Sequence, residues 1–217
     1  MMNRTVITIA RQMGSGGDLV GVELAKTLGI SLIDQQIITD AAAAAGVSPE
    51  TMLQAETAPS MLERMLEYLG QHTGGLDPLT DFSMEGAYTP ALTGDSYRAL
   101  IEQVVRKTAA ESDAVILRHA GGVVLREVPY VLRVLICAPA RVRIQRLQDY
   151  EHLAAAEAER RIRDDDKSRT DFFQTYYKVN WLNPALYDLC LNTERLDDNS
   201  AVDVIIHAHK AMSIANA

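Results

Sequence analysis

Residues 9–29 read IARQMGSGGDLVGVELAKTLG. The apolar run Val6 to Ala10 feeds a turn, Gly14-Ser15-Gly16-Gly17, and the turn feeds a stretch in which Leu19, Val22, Ala25 and Lys26 recur at helical spacing. A strand, a glycine turn and a helix gather backbone N–H groups and the positive end of a helix dipole around one point, which suits a phosphate. Glycine at 14, 16 and 17 permits positive φ and close approach of a ligand to the backbone. Against the pattern G-x-x-x-x-G-K-[ST], Gly16 matches the second glycine, while Arg11, Gly17 and Asp18 stand at the first glycine, the lysine and the hydroxyl. The lysine is missing. Arg11, at the start of the loop, offers a guanidinium that can bind phosphate bidentately and supply that charge. The motif alone leaves open a tight strand-to-helix turn that holds nothing.

Further along, three places carry side chains suited to anions. Asp34 ends an apolar run, at the sheet edge where open α/β folds bind ligands, although an aspartate preceding a helical stretch also serves as a cap. Arg118 closes the run Ala114–Leu117 at the same edge and suits an acceptor phosphate, with a surface ion pair as the alternative. Arg141, Arg143, Arg146, Arg160, Arg161, Arg163, Lys167 and Arg169 crowd one stretch. On helices, Arg143 and Arg146 share a face, as do Arg160, Arg163 and Lys167. Pairing with Glu157, Glu159, Asp164 and Asp165 along the same helix is the alternative use of these charges. His119 has no His or Cys partner at metal-ligand spacing. Phe172, Phe173, Tyr176, Tyr177 and Trp181 read as packing groups rather than base-stacking ones.

The elements that must position these residues alternate between strand and helix, the pattern of a parallel sheet covered by helices. Strands are predicted at Thr5–Ala10, Ser31–Ile33, Ala114–Leu117, Val131–Cys137 and Leu186–Leu191. Helices are predicted at Asp18–Leu28, Gln35–Ala45, Pro49–Leu69, Ser96–Glu111, Ala140–Asp149, Ala154–Tyr177 and Ser200–Met212. Gly70–Gly94 mixes Gly, Pro, Thr, Asp and Tyr without a sustained period and reads as a long surface loop, mobile or functional, or else an insertion without a role. With 217 residues, 47% of them hydrophobic, the chain can bury one full core. A net charge of -8, from 21 Lys+Arg against 29 Asp+Glu, argues against a general nucleic-acid binder, so any anion must find a local basic site. Cys137 and Cys190 lie in apolar runs, and no disulfide is expected. No signal peptide or membrane-spanning run is visible, so no membrane partner is expected and the chain reads as soluble and cytoplasmic.

The segments TIARQMGSGG, LIDQQII, VILRHAGGVVLREVPYVLRVLICAP, RIRDDDKSRTDFF, NW and YDLCLNT, in that order, resemble the cytidylate kinase-like family, a branch of the P-loop nucleoside monophosphate kinases. The resemblance spans nearly the whole chain and is weakest across Gly70–Gly94. It implies an α/β fold: a P-loop NTPase-like three-layer sandwich with a five-stranded parallel sheet, a helical lid near 148–180 and a long surface insertion at 70–95, all in one domain, 1–217. It implies an ATP-dependent phosphotransferase using Mg2+, with a nucleotide and a small phosphate-bearing acceptor as partners. That family's loop usually lacks the lysine, reading R-Q, an aromatic residue, G-S-G-G and then arginine, whereas this chain has Met13 for the aromatic and Asp18 for the arginine. Asp18 adds a negative charge at the phosphate site unless it caps the helix or faces magnesium.

Carried over residue by residue, the resemblance places Gln12, Met13, Gly14, Ser15, Gly16, Gly17 and Asp18 on the nucleotide and gives Arg11, Arg146 and Arg163 catalytic roles. In this family arginines of the lid close over the transferring phosphoryl group. Asp34, Arg118, Asp166 and Arg169 fall on the acceptor side, the last two through Asp166-Lys167-Ser168-Arg169, which matches D-K-x-R. Arg118 matches the arginine of a Gly-Arg-Asp motif whose flanks here are Leu117 and His119. Those changes, with Gln35 and Asp40 in place of a serine and an arginine, leave the acceptor unnamed. A nucleotide-binding or regulatory module without turnover is the alternative. The Gly70–Gly94 loop or the Ala154–Tyr177 helix could support a homodimer.

Overall fold

The structure is a computed structural model and describes residues 4–34, 39, 40, 42, 94–118 and 120–215. Its described chain runs β1 (Val6–Arg11), α1 (Gly17–Leu28), β2 (Ser31–Ile33), α2 (Gly94–Glu111), β3 (Ala114–Leu117), α3 (Gly121–Val124), β4 (Val131–Cys137), α4 (Ala140–Glu151), α5 (Ala155–Tyr177), β5 (Leu189–Asn192) and α6 (Asp198–Ala215), with a 3-10 turn at Pro184–Leu186. Two compact units divide it: residues 1–34 with 105–217, and residues 35–104. The sheet and the residues discussed below belong to the first. In the second, Arg98 pairs with Glu102 one helical turn away at 3.5 Å.

The sheet is five-stranded and parallel in all its pairings, in the order β2-β3-β1-β4-β5. β1 is central because Val6, Ile7 and Ile9 are fully buried, and a strand with neighbours on both sides and helices on both faces has no solvent side to give to charge. It pairs with β3 from Val6↔Ala114 to Ile9↔Leu117, and with β4 from Val6↔Val131 to Arg11↔Ile136. Both ladders bring the carboxyl ends of neighbouring strands to one edge. Val20, Leu24 and Ala25 of α1, with Ala201, Val202 and Ile205 of α6, pack on Ile7, Ile9, Val115, Leu117, Val134 and Ile136. On the other face α3 lies so close that a Cβ at Gly121 would stand 3.2 Å from the Thr8 methyl.

Among the described residues the predicted strands and helices fall where the periodicity puts them, with shifts of one or two residues at most ends. α2 begins at Gly94, so Gly94 and Asp95 are helical rather than part of the loop and insertion expected there. The last strand is the larger correction: Leu186 belongs to the 3-10 turn and β5 begins at Leu189. Pro184 brings no N–H to a ladder, and the Asn183 side chain accepts from Ala185 N–H at 3.1 Å, closing a turn where the apolar run suggests a strand. Of the helix predicted at Gln35–Ala45 only Thr39, Asp40 and Ala42 are described, all helical. Gln35, the helix at Pro49–Leu69, the rest of the 70–95 stretch and His119 lie outside the described residues. Among the described residues no helix is long and apolar enough to cross a membrane.

Candidate active site at the carboxyl edge of the sheet

The loop between β1 and α1 is shaped by its glycines and held from behind by α4. Gly14 has φ 73° and Gly16, the α1 N-cap, has φ 83°, both in the region that favours glycine. A Cβ at Gly14 would stand 2.8 Å from the Arg143 carbonyl oxygen, so the loop lies against the α4 backbone. Ser15 N–H donates to the Gln12 carbonyl at 3.1 Å, and Val20 N–H donates to the Gly16 carbonyl at 3.0 Å. The amides just before Val20 are those that a helix start leaves without an intrahelical acceptor.

Two arginines on one face of α4 hold this loop. Arg143, almost fully buried, donates to the Met13 carbonyl at 3.3 Å and bidentately to Asp166 at 3.0 and 2.7 Å. Arg146 donates to Thr193 Oγ1 at 3.0 Å, to the Thr193 carbonyl at 2.7 Å, and reaches the Gly14 carbonyl at 3.5 Å. Thr193 Oγ1 lies 2.6 Å from the buried Ser15 carbonyl and donates its hydrogen there. Gln12 joins the loop to β4, its N–H donating to the Ile136 carbonyl at 3.1 Å and its side-chain oxygen accepting from Ala138 N–H at 3.4 Å. Met13 packs on Leu147, Ala158 and Ile162.

Arg11 runs beneath the loop. A Cβ at Gly17 would stand 2.5 Å from the Arg11 Cβ and 3.0 Å from its Cγ, so the Arg11 stem fills the space a side chain at the lysine position would need. Arg11 Nε reaches both Asp18 carboxylate oxygens, at 3.0 and 2.9 Å. Its Nη1 is buried and has no hydrogen-bond partner among the described residues. Burial lowers the Arg11 pKa from its ordinary value, and the charges of Arg169 and Arg118 add to the fall against the opposing pull of Asp18. The guanidinium stays protonated, and a phosphate would meet a cation with a donor to spare.

Asp18 stands in the first turn of α1 rather than at its N-cap, Gly16, and its carboxylate is engaged by Arg11. It also accepts from Arg118 Nη2 at 3.2 Å, and Arg118 Nε lies 3.5 Å from Asp34. Arg118 has φ 65° and Ala120 φ 52°, left-handed backbone at non-glycine residues on the turn out of β3. Such conformations cluster at functional sites. Arg118 and Arg169 line a small pocket with Ala10, Gly121, Trp181 and Tyr187. The Arg169 guanidinium lies 5.3 Å from the Trp181 ring centroid. Two polar groups of the wall are engaged, Tyr187 O–H donating to the Trp181 carbonyl at 2.7 Å and Trp181 Nε1–H to Thr170 at 3.2 Å. Burial raises the Tyr187 pKa, which keeps that phenol neutral.

The structure thus gathers Arg11, Asp18, Asp34, Arg118 and Arg169 at one edge, and puts Arg146 and Asp166 behind the loop. Asp166 meets Arg143 rather than the pocket, and Arg146 meets Thr193. Arg163 is exposed on α5 and makes no ion pair among the described residues. Arg160 with Glu157 and Arg169 with Asp165 follow the pairing alternative along α5, whereas Arg161 meets Glu151 of α4 and Lys167 meets Asp171. Sequence reasoning assigned no role to Arg143 alone or to Thr193. The signal for Arg143 was its shared face with Arg146, and for Thr193 its place just past a strand's carboxyl end.

Curated cytidylate kinases resemble this chain at moderate identity. The one from Haloarcula marismortui is 26% identical over 151 residues, covering 66% of this chain and 78% of its own. The one from Natronomonas pharaonis is 27% identical over 156 residues, covering 68% and 80%. The solved structure of an uncharacterized protein from Eubacterium ventriosum aligns with TM-score 0.67 at 19% identity, over 96% of this chain and 99% of that one, a likeness of fold. The sequence model of the cytidylate kinase-like family matches residues 6–195, from β1 to just past β5, and the chain belongs to that family.

Proposed function

We propose that this chain is an ATP-dependent phosphotransferase of the nucleoside monophosphate kinase type, acting on a small phosphate-bearing acceptor. One observation carries the reading: the Arg11 stem takes the space at Gly17, and its buried Nη1 keeps a donor unused beneath the loop. The backbone amides of Gly16, Gly17 and Asp18 and the Arg11 guanidinium hold the donor phosphates, while Gln12, Met13, Gly14 and Ser15 shape the loop. ATP supplies the phosphoryl group. Arg118 and Arg169 hold the acceptor, Asp34 orients Arg118, and Arg163 on the open face of α5 reaches the transferring group. Arg146 and Asp166 position the loop through Thr193 and Arg143. Catalysis is then positioning and electrostatics, as phosphoryl transfer requires.

The donor set fits phosphate better than a protein-held magnesium ion. Asp18 occupies the hydroxyl position but is engaged by two guanidiniums, and no cluster of three His, Cys, Asp or Glu side chains exists among the described residues. We assign magnesium to the nucleotide's own phosphates. That engagement also favours a second reading, a nucleotide-binding module without turnover.

One assay separates the two. Purified protein is given ATP, magnesium and a panel of nucleoside monophosphates, and ADP formation is followed beside the melting temperature. Turnover with at least one acceptor is expected. No turnover with a preserved ATP-dependent rise in Tm leaves the module reading standing, and no rise removes both. At about 100 times its Kd a ligand stabilises by about 2.7 kcal/mol, so the rise is readily seen.

A further inference from the structure

Thr8 sits within β1, 2% exposed, and its hydroxyl has no hydrogen-bond partner among the described residues. A buried hydroxyl left without a partner costs stability, so its retention needs a reason. The same hydroxyl faces a methyl-sized space on α3. A Cβ added at Gly122 would stand 3.5 Å from Thr8 Oγ1, 3.6 Å from Tyr187 Cε1 and 3.8 Å from Arg133 Cβ, all ordinary contacts. Gly122 is not among the glycines with positive φ, so neither its backbone nor crowding requires glycine. Gly121 is different, since a Cβ there would press on the Thr8 methyl at 3.2 Å. Gly122 and Tyr187 also line the pocket that holds Arg118 and Arg169, so the space opens from that pocket's wall. Resting on the acceptor reading above, we propose that Thr8 and Gly122 form the far end of the acceptor site and select an acceptor whose planar ring carries one hydroxyl, amino or carbonyl group opposite its phosphate.

Depth and wall chemistry set that class. Ala10, which lines the pocket, lies two residues beyond Thr8 on the same face of β1. Thr8 is therefore deeper by about 6.6 Å, at about 3.3 Å per strand residue. One six-membered ring with a substituent spans that depth. Phe173, Trp181 and Tyr187 give the pocket aromatic sides, which suit a planar ring. Arg133 Nε and Nη2 are turned to Asp188 at 2.9 and 2.6 Å, so its stem meets the space and its charge does not. Of the three atoms nearest that space only Thr8 Oγ1 is polar. A hydroxyl both donates and accepts, so it pairs with a hydroxyl, an amine or a carbonyl. A methyl group in the same place would leave it buried and unpaired, which is the basis for rejecting an apolar isostere. Room for a single heavy atom turns longer substituents away.

Phenyl phosphate, 4-hydroxyphenyl phosphate and 4-methylphenyl phosphate share ring and phosphate and differ only at the far end. Binding of each to wild type, Thr8→Val and Gly122→Ala is titrated by calorimetry, and the Tm of each protein is read without ligand. Wild type is expected to bind the hydroxyl probe about tenfold more tightly than the methyl probe, the ratio one well-made hydrogen bond gives. Thr8→Val keeps the volume, and the ratio is expected to fall to about twofold or less. Gly122→Ala fills the space and is expected to weaken both substituted probes by about tenfold or more, with phenyl phosphate affected least. Both variants are expected to show a Tm at or above that of wild type, since one removes an unpaired buried hydroxyl and the other a helical glycine. Equal binding of the hydroxyl and methyl probes by wild type, a preference kept by Thr8→Val, or substituted probes unaffected by Gly122→Ala would each overturn the inference, while binding of phenyl phosphate leaves the acceptor reading standing. Binding of none of the three probes to any of the proteins removes the acceptor reading as well.

Discussion

Arg11 and Gly17 claim one space: a Cβ added at residue 17 would fall 2.5 Å from the Cβ of Arg11. The absent lysine is therefore a steric necessity as well as a chemical choice. A lysine here would have to push aside a strand residue that is itself anchored by Asp18. Gly17→Ala is expected to destabilise the protein by about 1–3 kcal/mol, the usual cost of overpacking. Removing the opposing Cβ with Arg11→Gly should make the same Gly17→Ala change nearly silent. Urea denaturation of the two single variants and the double variant reads the coupling directly, and additive losses would contradict the steric account.

Arg11 should also carry the response to nucleotide. Arg11→Ala is expected to lose most of the ATP-dependent rise in Tm, measured by thermal denaturation with and without ATP. A rise equal to that of wild type would show that the loop amides suffice without the guanidinium.

Arg143 and Asp166 form a bidentate pair in which the arginine side chain is 5% exposed and the aspartate 29%. Asp166→Ala leaves a buried guanidinium with only the Met13 carbonyl and should cost about 3 kcal/mol. Arg143→Met together with Asp166→Leu removes both charges and should cost less than Asp166→Ala alone. Chemical denaturation midpoints check the order.

Thr193 donates to the Ser15 carbonyl and accepts from Arg146, so one hydroxyl ties β5, α4 and the loop together. Thr193→Val keeps the shape and loses both bonds, with an expected loss of about 1–3 kcal/mol. ATP affinity should fall with it, and Thr193→Ser should restore much of both. A valine variant with unchanged stability and nucleotide affinity would remove Thr193 from the account.

His209 on α6 gives a pH signature. Burial lowers its pKa from the ordinary 6.5, against a smaller opposing effect of the Asp113 charge. A histidine whose folded pKa lies below its unfolded value binds fewer protons when folded, so stability is full above about pH 6.5 and falls as the pH drops through that value. For Asp188, burial raises the pKa, but hydrogen bonds from Arg133 with its charge outweigh this and leave the carboxyl below its ordinary 3.8, so its stabilising effect is lost only in stronger acid. His209→Gln is expected to flatten the stability profile between about pH 7.5 and 5.5 while leaving the acid limb in place. Urea midpoints across that range provide the measurement.

Much of this architecture was legible in the chain. β1, β3 and β4 are short apolar runs with charge or turn residues at their ends, and such runs have few other uses. The roles of individual charges were less legible, because a charge is defined by its partner and the partners are distant. Asp18 looked anomalous beside a phosphate loop until Arg118, one hundred positions away, closed on it. Asp166 looked like a pocket residue from its motif, yet Arg143 takes both of its oxygens. α3, at four residues, is too short for any periodicity to show. Leu186 was misread because its apolar neighbours outweighed the turn chemistry of Asn183 and Pro184.

The hydrogen bond from Thr193 to Ser15 spans 178 residues. Synthesis proceeds from the N-terminus, so the loop near residue 14 leaves the ribosome long before its brace does. Its central strand, β1, likewise waits for β3 and β4 on either side. A chain stopped before β5 carries the loop and its α4 and β4 contacts but lacks the Thr193 hydroxyl that holds the Ser15 carbonyl. A product stopped before Thr193 thus lacks the hydroxyl that ties the Ser15 carbonyl to Arg146.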